Sequence, residues 1–144
     1  MIVVDVNTIA YLWIPGEMTD LATRALARDP HWVSPILWRS EFRNILAGYL
    51  RRGELERPDV DRCLSGAESQ LAGHEYLMPS ALVVDKVAVS TCSAYGCEYI
   101  ALAEDMGTVL VTSDKQILRS FPTLAVSLRV FAETAQSEDQ ATPR

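Results

Sequence analysis

The sequence predicts an α/β protein with a short, parallel central sheet flanked by helices. Short runs of β-branched and apolar residues, at positions 2–4 and 108–112, are typical of strands that are buried on both faces. Longer segments between these runs carry apolar residues at helical spacing. Strands that alternate with helices in this way form a parallel sheet with helices on both sides.

The size and composition of the chain predict one domain. It has 144 residues, of which 49% are hydrophobic and 22% are charged, and this is enough for a single buried core. We expect the domain to span residues 1–133 and a polar, frayed tail to occupy 134–144. No apolar run approaches the roughly 20 residues of a membrane span, and the first residues lack the basic segment of a signal peptide. We therefore expect a cytoplasmic protein with no membrane partner.

The first half of the chain begins with a strand and then becomes mainly helical. The strand at residues 1–4 ends at Asp5, and we expect Asn7 to cap the helix that follows. Pro58 lies at the first position of a later helix, where proline is favoured. The further predicted elements are helices at 19–28, 37–51 and 58–71 and a strand at 31–33.

The second half of the chain contains the clearest predicted strand, at residues 108–112. Ser113 and Asp114 follow it directly and are expected to begin a short helix that ends near Pro122. The other predicted elements are a connector or short strand at 73–78, a helix of about twelve residues from Ser80, a helix at 94–106 and a last strand at 124–128.

Two aspartates follow predicted parallel strands, and a glutamate lies near the start of a helix. Asp5 and Asp114 would meet at the carboxyl edge of the sheet, where ligands bind in such folds. Their like charges would raise each other's proton affinity unless a cation lay between them. Each aspartate also has a purely structural interpretation as a helix cap, and Glu41 has one as a solvated acid that the helix dipole favours.

The overall charge and the cysteines limit the kind of site. A net charge of −6 argues against a broad nucleic-acid-binding surface, but clustered carboxylates that bind a divalent cation would make a nuclease acidic. The three cysteines, Cys63, Cys92 and Cys97, lack the spacing of a zinc site and are interpreted as buried thiols. The two histidines, His31 and His74, are expected to have no catalytic role.

Three segments together carry a family resemblance: Ile2-Val3-Val4-Asp5-Val6-Asn7-Thr8, Trp38-Arg39-Ser40-Glu41-Phe42-Arg43-Asn44 and Val111-Thr112-Ser113-Asp114. In this order and at these distances they resemble the PIN-domain ribonucleases, in particular the VapC-type toxins of bacterial toxin–antitoxin pairs. The resemblance extends over about residues 1–133. No single motif is specific to this family, and the evidence for the resemblance is the ordered set of three segments.

The resemblance implies a metal-dependent endoribonuclease toxin that cleaves structured or single-stranded RNA and is inhibited by a cognate antitoxin protein. It implies Mg²⁺ or Mn²⁺ as cofactor, with Asp5, Glu41 and Asp114 as metal-binding, catalytic carboxylates. Asn7, Thr112 and Ser113 would be polar neighbours of the site. The resemblance also implies a homodimer. Arg39, Arg43 and Lys115 are either basic residues that guide RNA or ordinary surface charges.

The segment Ser93-Ala94-Tyr95-Gly96-Cys97-Glu98-Tyr99 departs from the family pattern. The family carries another metal-site aspartate directly after the first tyrosine, and this chain has Gly96 there. Glycine offers no ligand atom on a side chain. Glu98 lies about 200° further around a helix, so it is either a substitute acid that reaches the site from another angle or a peripheral glutamate.

Two alternatives to an active ribonuclease remain open. Loss of the acid at Gly96 would leave a catalytically impaired PIN fold that acts mainly as an antitoxin-binding partner in a repressor complex. The second alternative is a flavodoxin-like phosphoacceptor domain with Asp5 and Lys115 at strand ends.

Overall fold

A five-stranded, wholly parallel sheet forms the centre of the protein, as the sequence predicts. In the computed structural model, residues 1–140 are described, with side chains as far as residue 134. The order of the strands across the sheet is β3-β2-β1-β4-β5. Their bounds are β1 (Ile2–Val4), β2 (Trp32–Pro35), β3 (Glu75–Tyr76), β4 (Leu110–Thr112) and β5 (Ala125–Ser127).

Eight helices surround this sheet within the described residues. Most begin and end within two residues of their predicted bounds. These helices are α1 (Val6–Trp13), α2 (Thr19–Arg28), α3 (Trp38–Arg51), α4 (Arg57–Leu71), α5 (Ser80–Ala88), α6 (Ala94–Asp105), α7 (Lys115–Ser120) and α8 (Leu128–Gln140).

The end of the chain differs most from the sequence-based expectation. Helix α8 was not predicted, and it begins at Leu128, where we expected the last strand to end. Leu128 and Phe131 are buried against the core, and this burial stabilises the helix. The hydroxyl of Ser127 caps it by accepting a hydrogen bond of 3.1 Å from the backbone N–H of Val130. The helix passes residue 133, the expected domain boundary. Residues 141–144 of the expected tail lie outside the described residues.

The sheet is buried on both faces because successive side chains of a strand point to opposite sides. In β1, Val3 packs into one apolar cluster with Ile100 and Leu110, whereas Val4 packs into the other with Trp38. Val3 and Val4 are both completely buried. This arrangement explains why the strands have continuous apolar sequences and not alternating ones.

The strand order reverses direction between β1 and β4. From β1 the chain adds β2 and then β3 on one side, and later adds β4 and β5 on the other. Ligands of open α/β sheets bind at such a reversal, beyond the carboxyl ends of the strands. The order also differs from the flavodoxin-like one, in which the third strand lies beside the first, so the phosphoacceptor alternative loses its structural basis. In residues 1–140, no helix is long and apolar enough to cross a membrane.

Candidate active site

Asp5 lies at the reversal point, immediately after β1, and its side chain caps α1. Its Oδ1 atom accepts hydrogen bonds from the backbone N–H and the hydroxyl of Thr8, both at 2.9 Å. Asn7 was wrongly predicted to be this cap. Asn7 is instead the second residue inside the helix, where its side chain is exposed. Asp5 is only 7% exposed, so a charge-bearing carboxyl is enclosed at the edge of the sheet.

A single hydroxyl group links Asp5 to the other strand-end aspartate. The hydroxyl of Thr112, at the end of β4, donates to Oδ2 of Asp5 and accepts a hydrogen bond of 3.0 Å from the backbone N–H of Asp114. Asp114 in turn caps α7, because its Oδ1 accepts from the backbone of Gln116 and Ile117. The structural role that the sequence left open for both aspartates is therefore real, and it also fixes where they lie.

Glu41 reaches the same region from the first turn of α3. Its Oε1 atom accepts a 2.6 Å hydrogen bond from the phenol of Tyr99. Burial raises the pKa of Glu41, the Tyr99 hydrogen bond opposes this, and the charge of Asp5 adds to it. Burial is likewise the main cause of the raised pKa of Asp5, and the charge of Asp114 contributes. The three carboxylates therefore lie close enough for Asp5 to interact electrostatically with each of the other two.

Glu98 lies close enough to Glu41 to interact with it electrostatically. It is half-buried on α6, and burial raises its pKa, followed by the charge of Glu41. Gly96 lies in the first turn of the same helix, where its N–H donates to Ser93. A Cβ atom at position 96 would point at Ile117 of α7, 3.0 Å from its Cδ1 atom. A side chain at this position would therefore extend toward the helix that Asp114 caps.

The acids do not form a closed cage around a metal ion among the described residues. Among the described residues, no group of three or more His, Cys, Asp or Glu side chains is compact enough to hold a metal ion in a ready-made cage. Asp5 has both oxygens engaged by Thr8 and Thr112, and Gly96 contributes no ligand. The chemistry of the donors nevertheless fits Mg²⁺ or Mn²⁺, because Mg²⁺ prefers oxygen ligands and is usually bound by one or two carboxylates together with several waters.

The other polar residues singled out in the sequence have varied surroundings. Asn7 lines a groove of about 310 Å³ between α1 and α3, together with Tyr11 and Tyr49. Ser113 is half-buried beside Asp114. His31 and His74 precede β2 and β3, at the opposite ends of the strands from Asp5, with ring nitrogens 3.2 Å apart.

Arg39 was proposed from the sequence as a guide for RNA, but it is engaged within the fold. Its guanidinium forms a two-pronged ion pair with Glu75, one bond of which measures 2.9 Å, and a further contact of 3.3 Å with Glu68. The neighbouring Trp38 donates its indole N–H to Glu75 as well. This network attaches α3 to β3, so Arg39 has a structural role. Arg43 and Lys115 are exposed.

The sequence analysis missed two residues that contact the acids. Thr8 binds Asp5 through both its backbone and its hydroxyl. An aspartate directly before a helix is a signal for a cap, and the backbone N–H of the third helical residue is a usual partner of such a cap. Tyr99 contacts Glu41, and it lies three residues after Gly96 on the same face of α6. Helical spacing from the altered family position was therefore a signal for Tyr99.

Comparison with known proteins identifies the family of this chain. No protein-family model matches it. It is 30% identical over 129 residues to Ribonuclease VapC3 of Pyrobaculum aerophilum, and this match covers 85% of the chain and 96% of the relative. The crystal structure of PAE2754 from Pyrobaculum aerophilum has a similar fold, with a TM-score of 0.70 and 19% identity over 94% of this chain and 96% of that one. The chain therefore belongs to the VapC family of PIN-domain ribonucleases.

Proposed function

We propose that this protein is a toxin endoribonuclease that hydrolyses phosphodiester bonds of RNA with the help of Mg²⁺ or Mn²⁺. The observation that carries the proposal is the position of Asp5 and Asp114, which end two neighbouring strands where the strand order reverses. Thr112 links them, and Asp5 interacts electrostatically with Glu41. The similarity to Ribonuclease VapC3 supports the same activity.

In this proposal Asp5, Glu41 and Asp114 hold the cation, directly or through water. When bound, the cation supplies positive charge at the scissile phosphate and makes water more acidic. Thr112 fixes Asp5 relative to the backbone of Asp114, so that the two acids keep their separation. Glu41 is proposed to orient the attacking water, because its Oε2 atom has no hydrogen bond among the described residues. Oδ2 of Asp114 is likewise without a hydrogen bond there and is left for the cation.

The experiment is RNA cleavage by the purified protein, with EDTA or with added Mg²⁺ or Mn²⁺. We expect cleavage only with the cation, and a loss of at least a hundredfold in Asp5→Asn, Glu41→Gln and Asp114→Asn. Asp105→Asn is the matched control, because Asp105 is an exposed acid at the opposite end of α6 from Gly96. Equal cleavage by the control and the three site variants would contradict the proposed site.

The proposed partners are an antitoxin protein and an RNA substrate, and the proposed assembly is a homodimer in the cytoplasm. The relation to Ribonuclease VapC3 supports the first two. Expression of the chain alone should arrest growth, and co-expression of the cognate antitoxin should restore it. Light scattering of the purified protein tests the dimer, for which we expect twice the 16.0 kDa mass of one chain.

Gly96 favours a second candidate function, a catalytically impaired protein that binds its antitoxin within a repressor complex. Position 96 offers no side-chain ligand, and a Cβ atom there would face Ile117 of α7. The same experiments separate the two functions. An impaired protein would bind the antitoxin and leave RNA intact with either cation, whereas an active toxin would bind the antitoxin and also cleave RNA.

A further inference from the structure

We propose that Tyr99 is a positioning residue, which holds the Glu41 carboxylate in place for cation binding. This inference rests on the proposed function and adds a residue that the metal-binding acids alone do not include. Tyr99 lies on α6 and Glu41 on α3. Their contact therefore joins two helices that are separate in the sequence at the point where the acids meet.

The geometry fixes one oxygen of the carboxylate. The Tyr99 phenol donates to Oε1 of Glu41 at 2.6 Å, which is a typical distance for a hydroxyl that donates to a charged carboxylate. Oε2 accepts no hydrogen bond from the described residues and is left for a cation or water. A flexible glutamate side chain loses rotamer freedom when it is held in one conformation. Because Tyr99 already holds Glu41 in the folded protein, cation binding does not have to include this loss of entropy.

Tyr99 itself is held firmly. It is only 3% exposed, and the Ser34 side chain lies beside its phenol. Ser34 is completely buried at the end of β2, and its hydroxyl donates to the carbonyl of Val4 at 3.0 Å. The Tyr99 phenol therefore lies beside a side chain that is hydrogen-bonded to β1, the strand that directly precedes Asp5.

A buried tyrosine needs some hydrogen-bond partner, and a neutral acceptor would satisfy it without any role in function. Here the partner is a half-buried carboxylate that interacts electrostatically with both Asp5 and Glu98. The contact therefore sets the position of a charge within the acidic group. Groups that orient metal ligands in this way typically contribute ten- to a hundredfold to metal affinity or activity.

The test compares Tyr99→Phe with Tyr95→Phe. Tyr95 lies on the same helix, but its side chain is 65% exposed, so its variant controls for loss of a phenol from α6. Mn²⁺ affinity is measured by calorimetry, together with RNA cleavage and metal-free melting. We expect Tyr99→Phe to weaken Mn²⁺ binding by about tenfold or more and Tyr95→Phe to leave it unchanged.

A double-mutant cycle separates positioning from general damage to the fold. In a Glu41→Ala background there is no carboxylate to hold, so Tyr99→Phe should change the Mn²⁺ affinity by less than about twofold. An equal loss in both backgrounds, or no loss in either, would overturn the inference.

Metal-free crystal structures of the wild type and Tyr99→Phe decide the matter independently of the proposed function. If the wild type neither binds Mn²⁺ nor cleaves RNA, the proposed function fails. The positioning role is then supported by a Glu41 carboxylate that is displaced in Tyr99→Phe, and it is refuted by a carboxylate that stays in place.

Discussion

At the scale of single residues, Asp5 has two roles with opposite effects on stability. Its Oδ1 atom caps α1 through Thr8, and a cap of this kind contributes about 1 kcal/mol. Its burial and the charge of Asp114 penalise the ionised form, so the pKa of Asp5 is raised from its ordinary value of 3.8. Asparagine at this position would keep an oxygen for the cap and remove the charge.

We therefore predict that Asp5→Asn melts at the same temperature as the wild type or higher in metal-free buffer at neutral pH. Asp5→Ala loses the cap as well as the charge, and it should be less stable than Asp5→Asn by about 1 kcal/mol. Urea unfolding with EDTA measures both differences. A marked destabilisation in both variants would show that the interactions of the carboxylate outweigh the cost of burying its charge.

The advantage of Asp5→Asn should depend on pH. Because the folded-state pKa of Asp5 is raised, the protonated form stabilises the fold, and this contribution is lost as the pH rises through the folded-state value. The free energy of unfolding of Asp5→Asn relative to wild type should therefore rise from acidic toward neutral pH and then level off. Unfolding of both proteins across this range checks the prediction, and a difference that falls with rising pH would contradict it.

Gly96→Asp should restore a carboxylate near the acids. We expect it to tighten Mn²⁺ binding and to raise RNA cleavage by about tenfold, if the added ligand contributes about 1.4 kcal/mol to the transition state. The new Cβ atom would lie 3.0 Å from Cδ1 of Ile117, so the Ile117 side chain must shift to accommodate it.

Gly96→Ala is the control for this prediction, because it introduces the same Cβ atom without a charge. If the alanine and aspartate variants bind Mn²⁺ and cleave RNA equally, position 96 does not contribute a ligand. Glu98 and the other three acids would then form the complete set.

At the scale of elements, α1 and α4 approach each other through a tryptophan and a glycine. The Trp13 indole lies against Gly66, and a Cβ atom built at position 66 would meet the ring at 2.3 Å. The indole N–H donates to Gln70 at 2.8 Å, one turn further along α4. Gly66 is therefore needed for close packing and not for a special backbone conformation, because its φ angle is not positive.

We predict that Gly66→Ala destabilises the protein by about 1–3 kcal/mol, the usual cost of overpacking. Gly48→Ala is the matched control. It is also an interior helix position, and there the new Cβ atom meets only the end of the flexible Arg52 side chain. That variant should be neutral or should stabilise the fold by up to about 1 kcal/mol. Thermal unfolding measures the stability of the two variants side by side. An equal change of stability in Gly66→Ala and Gly48→Ala would contradict this account.

At the scale of the whole molecule, the sheet places acids from three elements at one edge of a protein with a net charge of −6. A cation that binds only the folded state stabilises it by mass action. We predict that Mn²⁺ at about a hundred times its dissociation constant adds roughly 2.7 kcal/mol, or roughly 5–10 °C in Tm. A variant with Asp5→Asn, Glu41→Gln and Asp114→Asn should show no such shift in calorimetry. An equal shift in that variant would place the binding elsewhere.

The local elements were predictable because their signals are local. The apolar run at β4, the helical stripe of α3 and the proline at the start of α4 each act over a few residues. Helix α8 was missed because its stability depends on burial of residues such as Phe131, and because its capping serine, Ser127, lies inside the segment predicted as the last strand. The assignment of the α1 cap to Asn7 was wrong because two polar residues, Asp5 and Asn7, lie near the start of the helix and either type can be a cap. Only the backbone geometry at Asp5 identifies it as the cap.

The sequence by itself determined the fold class, the family and the three acids at strand and helix ends, because strand composition, helical spacing and ordered motifs are properties of the chain. Only the tertiary structure decided that Thr112 links Asp5 to Asp114, that Tyr99 holds Glu41 and that Arg39 is engaged by Glu75. The hydrogen bonds Arg39–Glu75, Tyr99–Glu41 and Thr112–Asp5 join residues that lie 36, 58 and 107 positions apart in the sequence. Contacts at such separations depend on how the strands order themselves in the sheet, and no local pattern of residues encodes that order.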